Sequence, residues 1–247
     1  LVDHKKVENT YADDLSARKG NASVSTVSRW TNVSESADKW IDKTVTTTSL
    51  FDSLGNAVDQ VSETSVYKDS TLTVASKRVI HNSNFDTLGN AGTQTVISYL
   101  VDFAGIVRTD TMVTYQEFTN RTFDATKNCV NQMVATYNKD TGTGKVLLDV
   151  QEIRSSSFTS SGVAGHQEIV TFSDLSRTTI TGVSIIDNSN ISSSGNVGTS
   201  VVTRYSTCTI ADDPKYTGTQ DGALTLSDSN KIDQRTITTT SFDNRGN

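Results

Sequence analysis

Three histidines, two acidic pairs and two cysteines are the residues of this 247-residue chain whose types could do chemistry. His4, His81 and His166 fall at different phases of the chain, so they read as strand-face residues and not as one metal site. Asp13–Asp14 and Asp212–Asp213 are carboxylate pairs of the sort a glycosidase or a calcium loop uses. Neither pair stands in an EF-hand or Gly-Asp repeat spacing, and both read as soluble loop acids. Cys129 and Cys208 allow one disulfide or two thiols, and their strand-like surroundings favour buried thiols. The serines lack a Gly-x-Ser-x-Gly elbow with its partners. Asp140–Val146, "DTGTGKV", lacks the spacing and the Ser or Thr of a phosphate loop and reads as a glycine-rich turn. No catalytic residue, metal ligand or cofactor site is expected. Calcium held by a ladder of turn aspartates, and sugar stacking on Trp30 or Trp40, are the sharper alternatives. The sequons at Asn21, Asn32, Asn120 and Asn190 match the Ser/Thr content.

Composition narrows the class. Net charge is −6, which leaves no basic face for nucleic acid. Only 34% of the residues are apolar, Ser and Thr make up roughly three in ten, and Pro214 is the one proline. β-Branched Thr and Val favour strands over helices. A core of ordinary size is hard to build from this, so much of the sheet surface is expected to be wet. No run reaches membrane-spanning length, and no membrane insertion is expected in this segment.

The element that organises the chain is a repeat. "FDSLGN" stands at Phe51, Asp52, Gly55 and Asn56. "FDTLGN" stands at Phe85, Asp86, Gly89 and Asn90, and "FDNRGN" at Phe242, Asp243, Gly246 and Asn247. Phe123-Asp124 begins a fourth copy with Lys127 in the glycine place. Anchors at Asn21, Asn56, Asn90, Asn128, Val163, Asn196 and Asn247 are separated by 35, 34, 38, 35, 33 and 51 residues. The long last step predicts an insertion at 206–231. Val27, Val96, Val134, Ile169 and Val202 follow their anchors by six residues; Trp30, Tyr99, Tyr137, Phe172 and Tyr205 follow by nine. These slots are expected to pack neighbouring repeats, with the valine and the aromatic on one face and Thr, Ser, Gln or Arg on the other.

Within the hexapeptide, Asp can bond nearby backbone N–H groups, while Gly and Asn tolerate positive φ. Each unit of about 35 residues therefore reads as strand, turn, strand, turn. The expected fold is all-β: tandem two-strand repeats over 1–247 that form a spiral, tubular or solenoid-like sheet. Residues 1–11 overlay 57–67, as though following Asn247, and Ile41–Asn56 echoes Ile232–Asn247. Both suggest a fragment of a longer array.

The hexapeptides resemble those of the bacterial Rhs or YD-repeat proteins and the teneurins, whose hallmark is Tyr-Asp-x-x-Gly-Asn or -Arg. The matching residues are the Phe-Asp corners quoted above. Phe replaces Tyr, the spacing exceeds that family's period, and its Gly-x-x-x-Tyr-x-Tyr-Asp run is absent. The resemblance implies a β-sheet wound into a spiral shell, in the manner of very large repetitive bacterial surface proteins. The expected function is structural: an extracellular or cell-surface segment that builds a fibre, tube or coat. Its partners would be copies of itself or adjoining repeats. A glycan-binding adhesin shaft and a hollow shell around an effector are the alternatives.

Overall fold

A computed structural model describes residues 4–68, 70–138, 144–216 and 220–240, without the side chains of Ala37 and Lys68. The hexapeptide at 242–247 lies outside the described residues. The fold is nearly all strand. Among the described residues thirteen strands form one antiparallel sheet in which, up to β12, neighbours in sequence are neighbours in space. They are β1 (His4–Tyr11), β2 (Ala22–Trp30), β3 (Trp40–Phe51), β4 (Ala57–Lys68), β5 (Thr71–Phe85), β6 (Ala91–Ala104) and β7 (Val107–Phe123). β8 (Cys129–Tyr137), β9 (Leu147–Phe158), β10 (Ala164–Phe172), β11 (Ile180–Ile191) and β12 (Val197–Tyr205) continue the order. Two-residue β13 (Thr209–Ile210) and β14 (Leu224–Thr225) pair with each other, and β15 (Lys231–Thr238) closes the large sheet against β12. This is the tandem two-strand array that the repeat predicts.

The one α-helix among the described residues, α1 (Asp14–Lys19), links β1 to β2. Asp13 caps it by accepting from the Ser16 N–H at 2.6 Å, and Gly20 ends it at φ 76°. No helix among the described residues is long and apolar enough to cross a membrane.

The chain divides into two compact units. The first holds Leu1–Gln116, Asn138–Lys145 and Asp243–Asn247; the second holds Glu117–Tyr137 and Val146–Phe242. In the first unit, Val24, Thr47, Val61, Val79 and Ile97 form one row across β2 to β6. Trp30 is buried against Trp40, with ring centroids 4.4 Å apart. Thr44–Thr64 and Thr46–Ser62 pair their hydroxyls across β3 and β4, so even the Thr-rich strands satisfy one another.

The second unit has a true local core. Ala135, Val150 and Phe172 share one row, and Met133, Glu152, Val170, Val183 and Tyr205 share the next on the same face. Val150, Val170 and Phe172 are fully buried. A single sheet leaves each face open, so this burial needs a second layer. The segment between β12 and β15 bonds to this face at Asn131 and Arg154, and the turn after β10 bonds to it at Glu152.

One expectation is corrected. The valine and aromatic slots lie three residues apart, and strand side chains alternate, so they fall on opposite faces. Val7 faces Val27 and His4 faces Trp30 in a β1–β2 register that is unbroken from His4 to Thr10. A bulge then precedes the aromatic in four units, at Arg29/Trp30, Thr136/Tyr137, Thr171/Phe172 and Arg204/Tyr205. The partner strand carries the extra residue, which strengthens the local twist.

Candidate functional site

The repeated hexapeptide is a stacked turn. Asp52 accepts from the N–H groups of Leu54 and Asn56 at 2.9 and 2.8 Å, and from Asn56 Nδ2 at 2.8 Å. The Asp52 N–H donates to the Asn56 carbonyl, and the Gly55 N–H to the Asp52 carbonyl. Asp86 with Asn90, and Asp124 with Asn128, repeat this set bond for bond. Where the motif decays, Thr159 and Ser192 take the place of the aspartate through their hydroxyls. Hydrogen bonds to these aspartates hold their carboxyls below the ordinary carboxylate range: chiefly from the Asn side chain at Asp52 and Asp124, and from the Asn90 N–H at Asp86.

Glycine is required for two reasons. Gly55 and Gly89 sit at φ 89° and 82°. A Cβ on Gly55 would also lie 2.8 Å from Asn21 Nδ2, and one on Gly89 only 2.5 Å from Asn56 Oδ1. Each turn therefore seats its glycine on the Asn of the preceding turn. In the second unit Gly162 meets Asn128 and Gly195 meets Val163 at the same place, each at 3.2 Å. The terminal Asn has two tasks: it closes its own turn and forms the floor of the next.

A second ladder went unread in the sequence. Gln60, Gln94, Gln132 and Gln167 each stand four residues after an anchor. Gln60 donates to Thr48, Gln94 to Asn82 and Gln167 to Ser155, at 3.2, 2.7 and 3.1 Å. Thr48, Asn82 and Ser155 are buried and stand eight residues before an anchor. The signal was the recurring Gln itself. A third device couples Gly92, Gly165 and Gly198 to Asn84, Ser157 and Asn190. The latter three have φ of 55°, 56° and 53°, and a Cβ on any of the glycines would come within 3 Å of the opposing carbonyl.

The packing slots are filled as follows. Trp30, Val134, Tyr137 and Phe172 are buried; Val27, Val96, Tyr99, Ile169, Val202 and Tyr205 are half-buried. Tyr99 lies under the Lys77 ammonium, and Tyr137 donates to Glu117. His81 bonds Asp59 at 2.6 Å and His166 bonds Asp187 at 2.7 Å. These are the same cross-strand slot with the two residue types exchanged. Asp187 raises the His166 pKa. Cys129 and Cys208 are free thiols, and burial pushes Cys129 up to about 11. Among the described residues no group of three or more His, Cys, Asp or Glu could hold a metal ion.

The most concentrated chemistry lies in the second unit. Glu152 is fully buried in mid-sheet and takes a two-bond fork from Arg121 at 2.7 and 2.8 Å. Arg177 adds a third bond from a turn in which its own φ is 56°. Burial pushes the Arg121 guanidinium down, and Glu152 more than offsets this, so that it ends raised. Arg154, without such a carboxylate fork, is lowered by burial. Asn131 and Arg154, paired across β8 and β9, hold three successive carbonyls of the β12–β15 segment. Arg154 donates to Gln220 at 3.1 Å and to Gly222 at 2.6 Å, and Asn131 donates to Asp221 at 2.8 Å. Tyr216 bonds Thr122 and lies over Arg121. None of these four arginine and glutamate positions gave a sequence signal, because their partners come from strands and loops far apart in the chain.

Residues 206–230 connect β12 to β15. The same junction recurs near the N-terminus on a short loop. Arg29 forks onto Asp42 as Arg204 forks onto Asp233. The Thr31 N–H donates to the Lys39 carbonyl as the Ser206 N–H donates to that of Asn230, both at 2.8 Å. A 3-10 turn precedes the return strand in each case, Ala37–Lys39 and Asp228–Asn230. No family model matches the chain, and no curated protein matches it.

Proposed function

We propose that this chain is a structural segment of a long extracellular or cell-surface β-repeat protein that forms a fibre, tube or coat. The observation that carries the reading is the seating of Gly55 on Asn21 and of Gly89 on Asn56. Cohesion is passed from unit to unit by turn stacking and main-chain ladders, with little need for an apolar interior. The Gln ladder adds side-chain bonds at the same repeat. The resemblance to the Rhs and YD-repeat shells rests on the Phe-Asp corners and supports the same class of architecture. The glycan-shaft alternative draws no support from Trp30, which is 4% exposed and stacked on Trp40.

The reading is tested by electron microscopy of the concentrated protein, together with antibody labelling of intact source cells. Regular fibres, tubes or a surface layer are expected. Isolated particles together with exclusively internal labelling would refute it.

A further inference from the structure

The described residues between Ser206 and Asn230 form a preformed knob. Its Ala211 N–H donates to Ala223, Gly222 to Ala211, and Tyr216 to Asp213, while Asp221 Oδ1 accepts from the Asp213 N–H at 2.9 Å. It stands on a stalk of two residue pairs, Thr209–Thr225 and Ile210–Leu224. The hairpin beneath it is already closed by the Ser206–Asn230 bond, as the first hairpin is closed by Thr31–Lys39 with no knob at all. The knob is therefore an addition to a complete sheet junction.

Its docking site reads main chain. Three consecutive carbonyls, at 220, 221 and 222, are taken by Arg154 and Asn131. Beside that site Tyr216 lies against Arg121, which with Arg177 holds the buried Glu152. Uncovering buried ions returns their hydration, so lifting the knob costs less than uncovering an all-apolar core of equal area. Several buried polar atoms here also lack partners: Asp221 Oδ2, Arg154 Nη1 and Arg177 Nε. The contact is not saturated.

We propose that this knob exchanges between copies, seating on the Asn131–Arg154 site of a second chain and linking two arrays. The contacts made in exchange are identical to those made within one chain, which is why such swaps are favoured routes to association. Five extended residues, 206–210, reach about 17 Å. The proposal does not depend on whether the array is a fibre, a coat or a shell.

Two complementary variants test it. One replaces residues 207–229 by Asn32–Asp38 and so has a site without a knob. The other carries Asn131→Ala and Arg154→Ala and has a knob without its site. Light scattering after gel filtration should find each alone as a monomer, and the equimolar mixture as a heterodimer of twice the mass. A mixture that stays as two monomers, each with native β circular dichroism, overturns the proposal. Should either variant fail to fold, hydrogen exchange on the unaltered chain decides. The amides of Asp213, Tyr216 and Gly222 should exchange at least tenfold faster than those of Val150 and Val170. Equal protection would mean that the knob does not lift, and the proposal fails.

Discussion

Replacing Gly89 by alanine separates the two reasons for glycine in the turn. The residue sits at φ 82°, where a Cβ costs about 1 kcal/mol in backbone strain. The new Cβ would also lie 2.5 Å from Asn56 Oδ1, so the Asn56 side chain must move. Moving it breaks the Asn56–Asp52 side-chain bond, which contributes about 1 kcal/mol more. Gly89→Ala should therefore destabilise by about 2–3 kcal/mol, lowering Tm by roughly 5–10 °C in a chain of this length. Gly105 and Gly20 are internal controls: φ is 65° and 76°, yet nothing lies within 4 Å of a Cβ built on either. Their alanine variants should lose only the backbone part, about 1 kcal/mol. A double-mutant cycle with Asn56→Ala isolates the contact, because a shortened Asn56 no longer collides. Calorimetry of the six proteins gives the answer. If Gly89→Ala costs no more than Gly105→Ala, or if the cycle shows no coupling, the turns are not seated on one another and the cohesion argument fails.

Further expectations are simpler to check. Glu152→Ala leaves Arg121 and Arg177 buried without their carboxylate and should cost about 3–5 kcal/mol in urea unfolding, the largest loss of any single charge removal here. His166 should titrate above the usual histidine value of 6.5 by NMR, and Asp187→Asn should bring it back. Since the folded pKa is the higher one, the stability that this pair adds is complete below the unfolded value and fades as pH rises through the folded one. The turn aspartates act with the opposite sign. The stability from Asp52, Asp86 and Asp124 is present at neutral pH and lost as pH falls through their lowered folded pKa values, so acid melting should be blunted in an Asp→Ser triple variant. Cys129, with its thiol pushed up to about 11, should resist iodoacetamide at pH 8 in the folded chain and react readily in denaturant.

Much of the fold was legible because a hairpin array writes itself locally. The Asp-to-N–H bonds span two and four residues, so Phe51–Asn56 specifies its own turn, and anchor spacing then places each strand. The strands after Asn56 and Asn90 begin one residue past the anchor, at Ala57 and Ala91. Facing was harder. Counting six and nine residues from an anchor groups Val27 with Trp30, although an odd separation puts them on opposite sides. The ladder between Gln94 and Asn82 joins residues twelve apart that meet only when two strands pair, so its recurrence in the sequence carried no partner with it. The Arg121–Glu152–Arg177 cluster was out of reach altogether: it spans 56 residues and depends on β7, β9 and the turn after β10 converging.

The two units show two answers to the same shortage of apolar residues. Where no second layer covers the sheet, as along Val24, Thr47, Val61, Val79 and Ile97, every residue keeps some exposure and the polar neighbours bond one another across strands. Such a surface gains little from burial and relies on each strand having a strand on either side. In the second unit, where the knob docks on Asn131 and Arg154, Val150, Val170 and Phe172 are withdrawn from water completely, and Glu152 goes with them. Covering this face buries charge, because Glu152 stands in the same row as Met133, Val170, Val183 and Tyr205. The three arginines follow from that: Arg121 and Arg177 neutralise the buried carboxylate, and Arg154 spends its donors on the carbonyls of the knob itself. In this chain the local core therefore carries its own ions, one carboxylate held by two arginines. The junction that carries the knob should accept the short loop of residues 31–39 in its place while leaving the strand order intact.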